Sequence, residues 1–270
     1  MRKLTAAIAL LAWTCAAQAQ QDIEWKQIIN VPKGEYIPRE SADILGLELG
    51  DSHAETKAKL EKMANGFPVQ ESKTVFRVQM PGASTIVTAS YIGKAELERT
   101  TTGVSGRNIK EKITAFFSAP SSGQQLVGLS RSIDYFGEPD QPRVSEILDG
   151  LKAKMKGEPQ VNALRETTTF YYVFKNAHLV TPKPPGLNRC SWHHTAQNAS
   201  VLPHINTDGE CEAAMLVTVH HGISRDHAKS IGFSLFDNER LKATATADYR
   251  YIELYIKDLH QRSRGAAPKL

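Results

Sequence analysis

Histidine and cysteine side chains that could bind a metal ion are concentrated in one segment, residues 178–227. Seven of the nine histidines lie there, together with Cys190 and Cys211. The run CSWHH gives Cys190 and His193 a spacing that zinc sites use. One hypothesis is therefore a metal-binding protein or a metal-dependent enzyme. Its candidate ligands are His193, His194, His220, His221 and His227.

Sequence motifs for nucleophilic catalysis or phosphate binding are not present. The segment nearest to the Gly-x-Ser-x-Gly elbow of serine hydrolases is GVSGR, residues 103–107, which lacks the second glycine. The chain contains no His-Glu-x-x-His, P-loop or dinucleotide-binding fingerprint. We therefore expect a non-enzymatic protein with no catalytic residues and no cofactor. The question of an enzyme stays open, because a triad assembled from distant positions leaves no local motif.

The N-terminal residues 1–19 resemble a secretory signal peptide. Arg2 and Lys3 precede a short apolar run, and Ala17-Gln18-Ala19 provides a cleavage site with small residues. This pattern predicts a periplasmic protein. No later stretch has eighteen uninterrupted apolar residues, which predicts no transmembrane segment in the mature chain. Removal of the two cations lowers the formal net charge from +4 to +2, so the charge gives no argument for nucleic acid.

The compartment also bears on the two cysteines that remain in the mature chain. Two thiols in an oxidising compartment favour a Cys190–Cys211 disulfide, which would stabilise the fold by about 3 kcal/mol. A disulfide would consume both thiolates and so weakens the metal hypothesis. His220 and His221 weaken it further, because neighbours on a strand point to opposite faces. We predict the disulfide and no bound metal.

The elements that position these residues begin with a helix. Ser52 and Glu55 form an S-x-x-E capping box, which predicts a helix that starts at His53. Gly66 and Pro68 predict its end. Its apolar side consists of Thr56, Leu60, Met63 and Ala64.

Two strand hairpins and a second helix follow. The hairpins pair residues 73–79 with 85–92 and residues 109–117 with 126–136, on either side of a polar loop at 100–107. The second helix starts near Asp140 and ends at Gly157. Its last residues, LKAKMKGEP, match the end of the first helix, LEKMANGFP, and both helices precede threonine-rich strands. This similarity predicts an internal duplication of a helix-then-strands unit.

The C-terminal part begins with an aromatic strand at residues 167–174 (TTTFYYVF). Its large rings on both faces fit either a core with partly covered tyrosines or a patch for a partner. An irregular segment at 182–209 and a hairpin of residues 214–221 and 230–236 follow. The final helix spans residues 238–261. Its apolar stripe consists of Leu241, Ala245, Tyr249, Ile252, Ile256 and Leu259.

The segment LGLELGDSHAETKAKLEKM, residues 45–63, resembles the opening of SmpA/OmlA (BamE-like) units and of units like the β-lactamase inhibitor protein. Many of those turns contain Leu-Gly-Met-Thr or Leu-Gly-Met-Ser, whereas this chain has Leu49-Gly50-Asp51-Ser52. The order of elements is also similar to that of exported proteobacterial proteins of unknown function. The resemblance implies helix-on-sheet modules that contact other proteins, and it transfers no catalytic residues.

Together these observations predict an exported α+β protein of duplicated helix and antiparallel-sheet units. The expected organisation is a signal peptide (1–19), a first unit (20–136), a second unit with the cysteine-linked hairpin and terminal helix (137–262), and a flexible tail (263–270). The expected function is a secreted or periplasmic protein-interaction module. It would serve in envelope assembly or as an inhibitor or immunity protein, with another envelope or secreted protein as its partner.

Overall fold

The computed structural model describes residues 20–27, 30–31, 43–78, 86–180, 212–222 and 224–263. The predicted signal peptide, both cysteines of the predicted disulfide, His193 and His194 lie outside the described residues. Within them the chain mixes α-helices with antiparallel strands, as the sequence predicts. The predicted boundary at 136/137 falls between a strand and a helix.

The elements follow one another along the chain with short connections. The strands are β1 (Gln20–Asp22), β2 (Asp43–Ile44), β3 (Leu47–Glu48), β4 (Val69–Val78), β5 (Ile86–Thr102), β6 (Asn108–Phe117), β7 (Leu126–Tyr135), β8 (Gln160–Ala163), β9 (Thr167–Lys175), β10 (His178–Val180), β11 (Ala213–His221) and β12 (Ala228–Asp237). The helices are α1 (His53–Met63), α2 (Val144–Met155) and α3 (Asn238–Ser263).

Ten of these strands form one sheet, in which β7 and β12 pair at the centre. The spatial order is β4, β5, β6, β7, β12, β11, β9. The outer side of β9 pairs with both β8 and β10. Only β1 is parallel to its neighbour, lying beside the first residues of β5. The strands β2 and β3 form a separate small hairpin.

The first helix follows its sequence signals closely. The Ser52 Oγ accepts a hydrogen bond from Glu55 N at 3.2 Å, and a Glu55 carboxylate oxygen accepts one from Ser52 N at 2.8 Å. This arrangement confirms the capping box and the start at His53. Gly66 has a φ of 90°, as a helix-ending glycine requires.

The second helix differs from its prediction at both ends. It starts at Val144 rather than near Asp140, because a 3-10 turn at Glu138–Asp140 precedes it. At the other end Lys156, with a φ of 54°, takes the left-handed conformation expected of Gly157. The apolar stripe is confirmed, since Leu151 and Met155 are buried and three further side chains pack beside them: Val144, Ile147 and Leu148.

Both α1 and α2 pack on the same face of the sheet, which we call the helix face. Alternate residues of the central strands point to this face and form the largest core. Its members include Leu97, Ile113, Leu129, Phe170, Tyr172, Val217 and Leu235 together with Leu60 and Leu151 of the helices. The aromatic strand β9 therefore places three rings in the core and leaves Tyr171 half-buried on the opposite face.

Helix α3 packs on that opposite face, at one end of the sheet. Its Tyr251, Ile252 and Ile256 contact Val87 and Ala89 of β5. The predicted stripe is wrong for Tyr249, which is 49% exposed, because the buried side of the helix is rotated toward Tyr251. No helix in the described ranges combines the length and the apolar character needed to span a membrane.

Candidate functional site

His220 and His221, neighbours on β11, lie on opposite faces of the sheet. The His221 Nε2 is 3.0 Å from Thr168 Oγ1, on the helix face. His220 is exposed and pairs with Ser230 and Thr167 across the strands. One ion could not bind both imidazoles, because the sheet lies between them.

His227 belongs to the turn between β11 and β12 and is separate from both. Its backbone pairs with Gly222 and forms an isolated bridge with Arg143. Nowhere in the described ranges do three His, Cys, Asp or Glu side chains converge at metal-binding distances. A ligand set built from His193 and His194 falls outside those ranges and stays a prediction.

A cleft of about 790 Å³ opens at the edge of the helix face next to His221. It lies where the β5–β6 turn, the β7–α2 connection and the β11–β12 turn meet. Asp140 fixes the first two segments together, because its carboxylate accepts hydrogen bonds from the Ser105 hydroxyl and the Ser105 N–H. These bonds hold the pKa of Asp140 below its ordinary value. A β-carbon at Gly103 would lie 2.3 Å from the same carboxyl carbon, so glycine is required there.

The cleft carries more positive than negative side chains. Arg107, Lys229 and His221 line it against the single carboxylate of Glu138. Arg107 donates a hydrogen bond to the Phe136 carbonyl at 3.3 Å. Ser105 is bonded to Asp140 and His221 to Thr168, so the hydroxyl and the imidazole of the cleft have separate partners. The arrangement is suited to weak contacts with polar groups and does not form a nucleophile–base pair.

A larger surface is the sheet face opposite α1 and α2, where α3 covers only one end. We call its uncovered part the open face. Small side chains occupy its centre in two cross-strand rows. One row consists of Ser132, Gly232, Thr218 and Thr169, and the other of Ser130, Ser234, Leu216 and Tyr171. Ser132 is exposed, and the other seven are partly exposed.

Charged side chains border the open face on β5 and β6. Glu96 accepts from Lys94 at 2.7 Å and from Lys112 at 2.8 Å. Burial alone would raise the pKa of Glu96, but the hydrogen bonds and charges of the two lysines outweigh it and hold the pKa below its ordinary value. The border is therefore charged at neutral pH, whereas the centre is small and neutral.

A buried polar network attaches α3 to the sheet beyond the open face. Arg240 is fully buried and donates from Nη1 to Gln125 Oε1 at 2.6 Å and from Nε to Asp237 at 3.2 Å. Asp237 also caps the helix by accepting from Arg240 N at 2.7 Å. The guanidinium lies against Gly50, where an added β-carbon would be 3.0 Å from it. Burial raises the pKa of Asp237, and the positive charge of Arg240 offsets this only in part.

Asp248 makes a second buried anchor, one helical step further along α3. Its carboxylate accepts from Ser121 Oγ at 2.5 Å and from Ala119 N at 3.0 Å. Burial raises the pKa of Asp248 to about 6, although these hydrogen bonds act in the opposite direction. The sequence analysis missed both anchors. The spacing of Arg240, Thr244 and Asp248 by four residues was the available signal, because it places three polar residues on one side of a helix.

Comparison with known proteins adds no further assignment. No family model, curated protein or solved structure matches this chain.

Proposed function

We propose that this chain is an exported, non-enzymatic interaction module that binds a folded envelope or secreted protein through its open face. The observation that carries the proposal is the uncovered centre of the sheet. Sheet faces normally pack against another layer, and here small side chains leave the backbone of four central strands accessible. A partner's side chains could approach these strands closely and form a desolvated contact there.

The proposal includes the duplicated architecture inferred from the sequence. In each half of the chain a helix precedes a series of strands, and the last strands of the halves, β7 and β12, lie side by side at the sheet centre. This order is compatible with two tandem copies of one helix-and-sheet unit. The resemblance of residues 45–63 to SmpA/OmlA-like and β-lactamase-inhibitor-protein-like units supports a role in protein contact. Assembly and inhibition remain equal alternatives within the proposal.

Two arginine substitutions test the open face. We expect Ser132→Arg and Ser234→Arg to weaken binding of the captured partner by about thirtyfold or more, because a bulky charge at the centre of an interface blocks close contact. The partner is first isolated from a periplasmic extract with the purified protein and identified, and its affinity is then measured with the two purified proteins. Ala58→Arg, on the exposed side of α1, serves as the matched control and should leave the affinity unchanged.

Unchanged affinity in both open-face variants, with unfolding curves like the wild type, would contradict the proposed surface. A protein that retains no partner but turns over a substrate would contradict the proposed function as a whole.

Export and the Cys190–Cys211 disulfide belong to the same proposal. We expect protein purified from the periplasm to begin near residue 20 and to be two hydrogen masses lighter than its reduced form, because the compartment oxidises paired thiols. Intact mass before and after reduction, with alkylation of free thiols, measures both. Two alkylated cysteines or a retained metal ion in the native mass spectrum would instead support the metal hypothesis for His193 and His194.

A further inference from the structure

The strand β4 forms one outer edge of the sheet. It is ten residues long and contains no proline, and in the described part of the chain it pairs with β5 only. The opposite edge is divided between the shorter strands β8 and β10, of four and three residues. An edge strand presents a row of N–H and C=O groups that can pair with an added strand. Because β4 is long and continuous, it is the better template.

The outward side chains of β4 give this edge a specific chemical character. Lys73, Val75 and Arg77 alternate along the strand and therefore share a face. All three are exposed, Val75 to 58%. The nearby carboxylate of Glu71 is already bound by Lys57 at 3.0 Å and by His53 at 2.5 Å. Two cations that flank an apolar side chain thus remain available to an incoming strand.

Pairing of β4 with a second copy of itself is disfavoured by these charges. An antiparallel pair centred on Val75 would place Lys73 opposite Arg77, and like charges directly opposite are destabilising. The register that places Glu71 opposite Arg77 would use a carboxylate that Lys57 and His53 already hold. Acidic residues on a different chain complement the edge better.

We propose that β4 binds an extended segment of a partner protein by strand addition, with the pattern acidic-x-apolar-x-acidic. Main-chain hydrogen bonds along the edge provide the affinity. The two acidic residues lie opposite Lys73 and Arg77, and the apolar residue lies opposite Val75. The inference rests on the proposed interaction function and names a second contact, at a distance from the centre of the open face.

Synthetic peptides and a charge-reversed protein test the edge directly. The probe is a fluorescent acetyl-TTETVTETT-amide, and its matched control replaces both glutamates by lysine. We expect the full-length protein to bind the acidic peptide about tenfold more tightly than the basic one, because two cross-strand charge pairs are exchanged. In the Lys73→Glu, Arg77→Glu double variant the preference should reverse. Anisotropy gives the affinities, and amide shifts in NMR spectra should be confined to β4 and β5.

Backbone methylation separates strand addition from charge attraction alone. Methylating the peptide nitrogens that face β4 should abolish binding, whereas methylating the alternate nitrogens, which face solvent, should preserve it. Equal affinity for both peptides, no binding up to about 1 mM, or equal loss with both methylation patterns would overturn the inference. Concentration-dependent dimers that disappear in the double variant would also overturn it and assign the edge to self-pairing.

The Ser132→Arg variant makes the two proposals distinguishable. We expect this variant to bind the acidic peptide with wild-type affinity, because its substitution lies on β7 rather than at the edge. Loss of peptide binding in the edge variant alone supports the strand-addition site, and loss of partner binding in Ser132→Arg alone supports the open face.

Discussion

Replacing Arg240 by alanine is expected to lower the free energy of unfolding by about 3 to 5 kcal/mol, because removing one partner of a buried ion pair leaves the other charge uncompensated. Arg240 and Asp237 have no exposed side-chain surface. The substitution also leaves Gln125 Oε1 without its donor. Urea denaturation at neutral pH, followed by circular dichroism, measures the change.

The same helix provides a matched control for this prediction. Arg262 pairs with Asp258 at 2.7 Å, but its side chain is 75% exposed. We expect Arg262→Ala to change stability by less than about 1 kcal/mol, because exposed ion pairs contribute little. Combining Arg240→Met with Asp237→Asn should recover part of the loss, since no unpaired charge then remains. Equal effects of the Arg240 and Arg262 variants would contradict the role assigned to the buried network.

Replacing Asp248 by asparagine is expected to stabilise the protein at pH 8 by up to about 3 kcal/mol. This value is the free-energy equivalent of a pKa that lies at about 6 in the folded state and at 3.8 ordinarily. Because the folded state binds this proton more tightly, the carboxylate opposes folding at high pH. The opposition is relieved as the pH falls through 6 and is absent below about 3.8. Asparagine can accept from Ala119 N while its amide donates to Ser121 Oγ.

Urea denaturation between pH 4 and pH 8 checks this prediction as the difference between variant and wild type. Taking the difference at each pH removes the contribution of Asp237, which both proteins share. The stabilisation should be largest at pH 8 and shrink toward pH 4. Asp258→Asn, at a half-exposed position on the same helix, should show no such trend. A stabilisation that does not depend on pH would contradict the assigned titration.

The elements that local sequence signals define were predicted well. The capping box at Ser52 and Glu55 specifies α1 because both hydrogen bonds form within one turn of the chain. The hairpin of β6 and β7 was predicted within a residue at most strand ends, because alternating apolar residues flank a Ser-Ser-Gly turn. The end of α2 was less accurate, since a lysine can adopt the left-handed conformation when its surroundings require it.

The features that depend on distant contacts could not be predicted. Strand β5 has seventeen residues and extends into the stretch expected to be a polar loop, because β6 pairs with its second half. A bulge near Gly93 also changes which side chains face the helices, so one strand serves the cores on both faces. Burial of Arg240 was equally invisible, since its partner Gln125 lies 115 residues away. The open face and the cleft arise only when such pairings assemble.

The central pairing of β7 with β12 determines the order in which this chain can fold. Asp248 and its partner Ala119 are 129 residues apart in sequence, and Ser130 pairs with Ser234 in the middle of the sheet. Contacts between such distant positions require closure of large loops and are typical of slowly folding topologies. Until β12 is synthesised, β7 remains an unprotected edge. The N-terminal strands therefore acquire a finished neighbour only when almost the whole chain is available, which makes the last helix a late kinetic requirement for a sheet that begins near residue 20.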